Sequence, residues 1–195
     1  ADVVLGHQAN GVQHRRVLAD RYDELIILAP PGSAKSTYTS IGLSAYFMGR
    51  WPQRHILTAS HTLDLAEKWG RRVRGIVDSE EHSLVFPGSA LSRESAAAGR
   101  WGTTVGGEFY AAGVGGSILG FRADLGVIDD PLASFEQAQS DTQLAKMRDW
   151  YENDFITRMK PGAKVVLICQ RLARNDLAGY LIDRNAEKQT RRQYI

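Results

Sequence analysis

The chain has 195 residues, 43% of them hydrophobic and 24% charged, with a net charge of +2. That length suits one domain with a real core. No apolar run approaches the ~20 residues of a membrane-spanning helix, and so small a charge gives no argument for nucleic-acid binding from bulk electrostatics, leaving that case to local clusters. Cys169 is the only cysteine, which rules out an internal disulfide and a cysteine-rich zinc site and is consistent with a reducing compartment. The first residues show no basic stretch followed by an apolar one, so no secretory signal and a cytoplasmic location are expected.

Residues 12–23 have a polar helical pattern and lead into Leu25–Leu28, a short buried strand. A loop follows, then a helix from about Ser36 to Gly49. The stretch RHILTAS (54–60) predicts a second strand. His61–Val77 predicts a helix whose Leu63, Leu65, Ala66, Trp69 and Val73 form one apolar face. Residues 83–123 are rich in glycine and serine, with β-like pieces at 101–104 and 108–112 and a turn at Gly106-Gly107, which predicts an antiparallel excursion. ADLGVIDD (123–130) is a third buried strand closed by two carboxylates. Leu144, Met147, Tyr151, Phe155 and Met159 recur at helical spacing and predict one long helix over 135–159, ended by Pro161-Gly162. AKVVLIC (163–169) is a fourth strand, and a polar helix starts near Asp176. Strands alternating with helices predict an α/β domain with a mainly parallel sheet and its ligand at the carboxyl ends of the strands. No repeat or interdomain linker is visible.

The loop after the first strand reads Ala29-Pro30-Pro31-Gly32-Ser33-Ala34-Lys35-Ser36-Thr37. It has the frame of a phosphate-binding Walker A loop, in which backbone N–H groups cradle phosphates, a lysine reaches the β and γ phosphates and a hydroxyl holds Mg²⁺. Both glycine positions of the motif are alanine, so a plain strand-to-helix turn is the competing reading. Alanine keeps the N–H groups that do the electrostatic work, and the loop joins a buried strand to a helix as the motif requires. Residues 31–37 are therefore candidate phosphate contacts. Asp129 and Asp130 supply the second requirement, a metal-side acid and a base for the attacking water, although an Asp-Pro turn accounts for adjacent acids too. Two acids favour hydrolysis over transfer to an acceptor.

The stretches LAPPGSAKSTYTS, ILTASHTLDLAEKWGRRVR, GRWGTTVGGEFYAAGVGGSILGFRADLGVIDDP, DWYENDFITRMKPGAKVVLICQR and NDLAGYLI, in this order and spacing, resemble the ATPase domain of phage terminase large subunits, over nearly the whole chain. P-loops of that family commonly depart from the standard glycines. The resemblance implies a RecA-like P-loop fold of the additional-strand, catalytic-acid kind, ATP with Mg²⁺, and a motor that moves double-stranded DNA into a procapsid. Its implied partners are the portal protein, the small terminase subunit and further copies of itself in a ring, a pentamer in the motor. The implied location is the host cytoplasm and then the portal.

Carried over residue by residue, Lys35 and Ser36 belong to Walker A, Asp129 to Walker B with Ser36 on the metal, and Asp130 to the catalytic acid, where many relatives have glutamate. The coupling motif after the fourth strand reads Cys169-Gln170-Arg171-Leu172-Ala173-Arg174-Asn175-Asp176, with Gln170 in place of threonine and no Trp-His pair. Gln13, or alternatively Gln8, is the candidate adenine contact. Arg122 is the first candidate for an arginine finger, acting in its own or a neighbouring subunit, with Arg71, Arg72 and Arg74 competing. The family's nuclease domain is not expected in this chain, and the whole chain is expected to form one ATPase domain.

Further features stay open between a functional and a structural role. GVGGSILG (113–120) fails as a dinucleotide fingerprint because Ile118 fills the third glycine slot, leaving a mobile loop or a structural bend. His7, His14, His55, His61 and His82 lack metal-ligand spacing and read as satisfied or surface groups. Arg71, Arg72, Arg74, Arg158 and Lys160 suit either DNA phosphates or a solvated face. Glu152 and Asp154 read as solvent-facing. A helicase-type translocase and an assembly module with a decayed P-loop are the alternative functions.

Overall fold

The computed structural model describes residues 23–188 and 192–194. The expected helix over 12–23, Gln8, Gln13, His7 and His14 lie outside them, apart from Asp23. The strands are β1 (Glu24–Leu28), β2 (His55–Ser60), β3 (Leu91–Ala96), β4 (Arg100–Thr103), β5 (Glu108–Gly113), β6 (Ala123–Asp129), β7 (Met159–Cys169) and β8 (Arg192–Tyr194). They form one sheet in the order β3-β4-β5-β2-β6-β7-β1-β8. Pairing is parallel from β5 to β8 and antiparallel in β3-β4-β5. One strand, β7, separates the P-loop strand β1 from the acid-bearing strand β6, which is the additional-strand arrangement of RecA-like P-loop folds.

Central strands are apolar throughout because helices cover both faces of the sheet. Alternation along β1 sends Leu25 and Ile27 to one core and Ile26 to the other. The first core includes Phe47 and Met48 of helix α1, whose first part, Thr37–Leu43, is wound as π turns before Ser44–Arg50 continues as α-helix, and Ala66 and Val73 of α2 (Leu63–Val77). On the other face Trp150, Tyr151 and Phe155 pack with Leu177 and Leu181 of α6 (Leu177–Lys188). Gly126 of β6 permits that approach: a Cβ there would lie 2.8 Å from the Phe155 ring. Among the described residues no helix is long and apolar enough to cross a membrane.

Three expectations change. The excursion begins later than residue 83, because Ser79 caps a short helix α3 (Glu80–Val85) by accepting from the His82 N–H at 3.2 Å. The single helix over 135–159 is broken into α4 (Phe135–Ala138) and α5 (Asp141–Asp149), each opened by its own serine cap, Ser134 and Ser140. From α5 the chain runs on through π turns at Trp150–Phe155 and 3₁₀ turns at Ile156–Arg158. Pro161 and Gly162 do not end the helix, which has already stopped. They lie within β7, where proline cannot donate to the ladder, Gly162 takes φ +78°, and the β6-β7 register shifts across a bulge.

Candidate functional site

Parallel strands bring their carboxyl ends to one edge, and there the structure gathers the loop after β1, the two acids after β6 and the segment after β7. Ser36 Oγ donates to Asp129 Oδ1 at 3.0 Å, and Ser40 Oγ donates to Oδ2 at 2.5 Å. Lys35 Nζ pairs with Asp130 Oδ2 at 2.9 Å. Each acid therefore meets one side chain of the Lys-Ser pair. Pro31, Gly32, Ala34 and Thr37 form the exposed rim, with Ser33 half-buried and Lys35 beneath them only 8% exposed.

The loop shows which of the motif's glycines matter. Ala29 continues the strand, its N–H donating to the Cys169 carbonyl at 3.1 Å, so the first slot needs no glycine. Ala34, at the second slot, adopts φ +57°, beside Gly32 at +78°. An L-residue in the left-handed region costs about 1–2 kcal/mol. We expect Ala34→Gly to raise unfolding stability by about 1 kcal/mol in urea titration, net of the added unfolded-state entropy, without loss of nucleotide affinity. A less stable variant would mean that position 34 carries no strain.

Asp129 is 1% exposed. Burial holds its carboxyl above the ordinary value of 3.8, partly offset by the Ser40 and Ser36 hydroxyls, while the neighbouring Asp130 charge adds to the rise and Lys35 opposes it. The donor set is one hydroxyl and one carboxylate. Among the described residues no group of three or more His, Cys, Asp or Glu side chains could hold a metal by itself. That chemistry fits Mg²⁺, which keeps waters and takes substrate phosphate oxygens, better than an ion needing an all-protein cage.

The end of β7 lies between the two halves of the site. The Gln170 N–H donates to Asp130 Oδ1 at 3.4 Å, and Gln170 lines a small cleft with Asp130, Leu132, Leu172 and Asp176. Arg171 turns away from the acids: its Nε donates to Asp176 Oδ2 at 3.2 Å, and its guanidinium also donates to the carbonyls of Ala173 and Arg174. Asp176, 3% exposed, accepts from the N–H groups of Leu172, Ala173 and Gly179 as well, so it fixes this loop and caps α6. Burial pushes the Cys169 thiol well up, with the Asp176 and Asp130 charges adding to it.

Arg122 is not at this site within its own chain. It immediately precedes β6, so it stands at the amino edge of the sheet, about 23 Å along the strand from Asp129 at ~3.3 Å per residue. Its carbonyl is bonded there to His55 Nδ1 at 2.9 Å. Arg71, Arg72 and Arg74 lie well along α2, which begins at the carboxyl end of β2 and runs back along the sheet. Arg71 pairs with Glu67 at 3.6 Å, and Arg72 lies 5.5 Å over the Trp69 ring. Lys160 pairs with Asp124 at 2.8 Å. The 113–120 segment is a structural bend: Gly115 and Gly120 take positive φ, and Ile118 is buried. Glu152 is not simply solvent-facing; it pairs with Arg184 and accepts from Tyr180 Oη at 3.0 Å, whereas Asp154 is exposed.

Ser40 carried no expectation from the sequence, Asp176 only that of a member of the coupling motif, and His61 that of a satisfied or surface group; its Nδ1 lies 3.1 Å from the Asp130 carbonyl. Ser40 had a signal, since it follows Ser36 by four residues and shares its helix face.

No family profile and no curated protein sequence matches the chain. Solved structures do. The HK97 bacteriophage large terminase matches with a TM-score of 0.58 at 13% identity, over 92% of this chain and 36% of that one. The ATPase domain of the Thermus phage P74-26 large terminase matches with a TM-score of 0.55 at 15% identity, over 80% of this chain and 62% of that one. The large terminase of a thermophilic bacteriophage, in complex with ATP-γ-S, matches with a TM-score of 0.51 at 12% identity, over 94% of this chain and 44% of that one. The chain thus has the fold of large terminase ATPase domains and spans about a third of the HK97 protein.

Proposed function

We propose that this chain is the ATPase motor domain of a viral terminase large subunit, hydrolysing ATP with Mg²⁺ to move double-stranded DNA. The observation that carries the reading is the double contact across β7, Ser36 with Asp129 and Lys35 with Asp130, at the carboxyl edge of a terminase-like sheet. A P-loop kept only for assembly has no need of a second acid beside its lysine.

Ser36 and Asp129 would hold Mg²⁺, which would neutralise charge developing on the phosphates. The N–H groups of residues 31–37 cradle the phosphates. A triphosphate competes for Lys35, and the lysine's departure frees the Asp130 carboxylate to accept a hydrogen bond from the attacking water. Gln170, bonded through its N–H to Asp130, relays a shift of that acid into the loop that Arg171 and Asp176 organise. Because Arg71, Arg72, Arg74 and Arg122 stand away from the site of their own chain, a finger for the transition state comes from a neighbouring copy. Such a finger supports the ring, and with it the portal and small-subunit partners of the whole motor.

The test is ATP hydrolysis per chain over a wide protein concentration range, with Lys35→Ala and Asp130→Asn beside the wild type. We expect turnover that both substitutions abolish and a rate per chain that climbs with concentration. Absence of turnover together with absence of lysine-dependent ATP binding would overturn the proposal. A duplex-unwinding assay then separates a packaging motor, which leaves strands paired, from a helicase.

A further inference from the structure

We infer that His61 is a positioning residue for Asp130. This rests on the hydrolytic role proposed above for that acid.

Asp130 has an unusual backbone. Its φ is +44°, in the sparsely populated left-handed region, and Pro131 follows it and narrows its choices further. A non-glycine residue keeps such a conformation only where its surroundings overdetermine it, and such residues cluster at functional sites. Here the tethers come from three elements. The Asp130 N–H donates to the Ile168 carbonyl of β7 at 2.8 Å. Its carboxylate is held by Lys35 Nζ at 2.9 Å and the Gln170 N–H at 3.4 Å. Its carbonyl lies 3.1 Å from Nδ1 of His61.

A carbonyl can only accept, so the His61 contact requires the proton on Nδ1, which fixes the ring as donor. The placement follows from strand register. Ser60 is paired with Asp129, so the next residues, His61 and Asp130, leave adjacent parallel strands side by side. His61 is half-buried at the end of a rigid strand and acts as a fixed donor.

This contact matters because aspartate reaches one methylene less far than glutamate. The backbone has to deliver the carboxylate, and a change in the left-handed kink would move both oxygens. When a triphosphate draws Lys35 away, the backbone bonds from His61 and Ile168, with Gln170 on the carboxylate, are what keep Asp130 in place. His61 does not touch substrate in this role; it acts through Asp130.

The experiment measures kcat and KM for ATP in His61→Ala, His61→Asn and His61→Gln, with melting temperature and ATP-γ-S affinity followed in parallel. The asparagine amide N–H falls near the place of Nδ1–H, whereas the glutamine amide extends past it. We expect His61→Ala to lower kcat about 10- to 100-fold with KM unchanged, as a misplaced catalytic group does. His61→Asn should recover most of the rate and His61→Gln little of it. Wild-type kcat in His61→Ala, or equal rates in the asparagine and glutamine variants, would overturn the assignment. If His61→Ala fails to fold, the asparagine and glutamine pair decides. A wild type without lysine-dependent turnover removes the reaction itself, whereas normal turnover unaffected by residue 61 removes only the role of His61.

Discussion

Asp129→Asn is expected to yield a chain that unfolds less readily than the wild type and barely hydrolyses ATP. The carboxylate is almost fully buried, and burial is the largest influence on it, raising its pKa above 3.8. A raised carboxyl pKa means that the charged form costs the folded state more than the unfolded one. That cost is present in full above the raised folded pKa and shrinks as pH falls through it. It is gone below the unfolded value, where both states are protonated. In metal-free buffer the variant should therefore melt above the wild type at neutral pH, and the difference should close on acidification. Asparagine still accepts from one serine, and the other hydroxyl can turn to accept from its amide. Catalysis goes the other way: loss of the charge proposed to face Mg²⁺ should lower kcat by about 100- to 1,000-fold, as removal of one preorganised electrostatic group does. Calorimetry with a chelator and ATPase rates with Mg²⁺ check the two halves. A variant that melts lower at neutral pH would show that the serine hydroxyls more than compensate the burial.

The largest loss of stability should come from Arg184→Met, far from the nucleotide edge. Glu24, at the start of β1, is 3% exposed, and it accepts from Tyr151 Oη at 2.6 Å and from the Arg184 guanidinium at 3.2 Å. Arg184 also pairs with Glu152 and lies 5.3 Å from the Tyr151 ring centre and 5.7 Å from that of Tyr180. One guanidinium thus ties the first strand to the helical segment after α5 and to α6. Methionine fills much of the space but leaves Glu24 and Glu152 without their shared cation. Breaking a buried pair from one side costs about 3–5 kcal/mol, a fall in Tm on the order of 10 °C for a chain of this size. Replacing Glu24 with methionine as well should recover part of the loss, because the buried charge is then removed rather than stranded. Urea unfolding of the two single variants and the double variant measures this. A single-variant loss below about 1 kcal/mol would place the network in the class of solvated pairs.

Both predictions touch residues that reasoning from residue types treated unequally. The place of Asp129 and Asp130 opposite the loop after β1 was legible because an apolar run that ends in two acids, downstream of a P-loop frame, puts them at the carboxyl edge of the sheet. The strands β1, β2, β6 and β7 were legible because strands covered on both faces are continuously apolar. Arg184 and Glu152 were not, since a charge on a helix says nothing about what the helix packs against. The breaks at Ser134 and Ser140 were missed because the expectation followed the apolar spacing from Leu144 onward, which is blind to caps. Arg122 is instructive in another way, since a finger at that position can serve only a neighbouring copy. A residue just before a parallel strand sits at its amino edge, so its position in the chain already argued against a place beside Asp129. Asp176 and His61 act through backbone groups, and no side-chain motif announces a bond to a carbonyl or an amide.

Cys169 has a practical consequence. Only 6% exposed, with its thiolate disfavoured by burial, it is nearly inert toward alkylating reagents while the sheet edge stays closed. A cysteine introduced on the outer surface would therefore be the sole address for a fluorophore or crosslinker, with no need to engineer the native one away. The native thiol would serve as a clock: it borders the cleft between Asp130 and Leu177, so any alkylation of it would time an opening of that cleft.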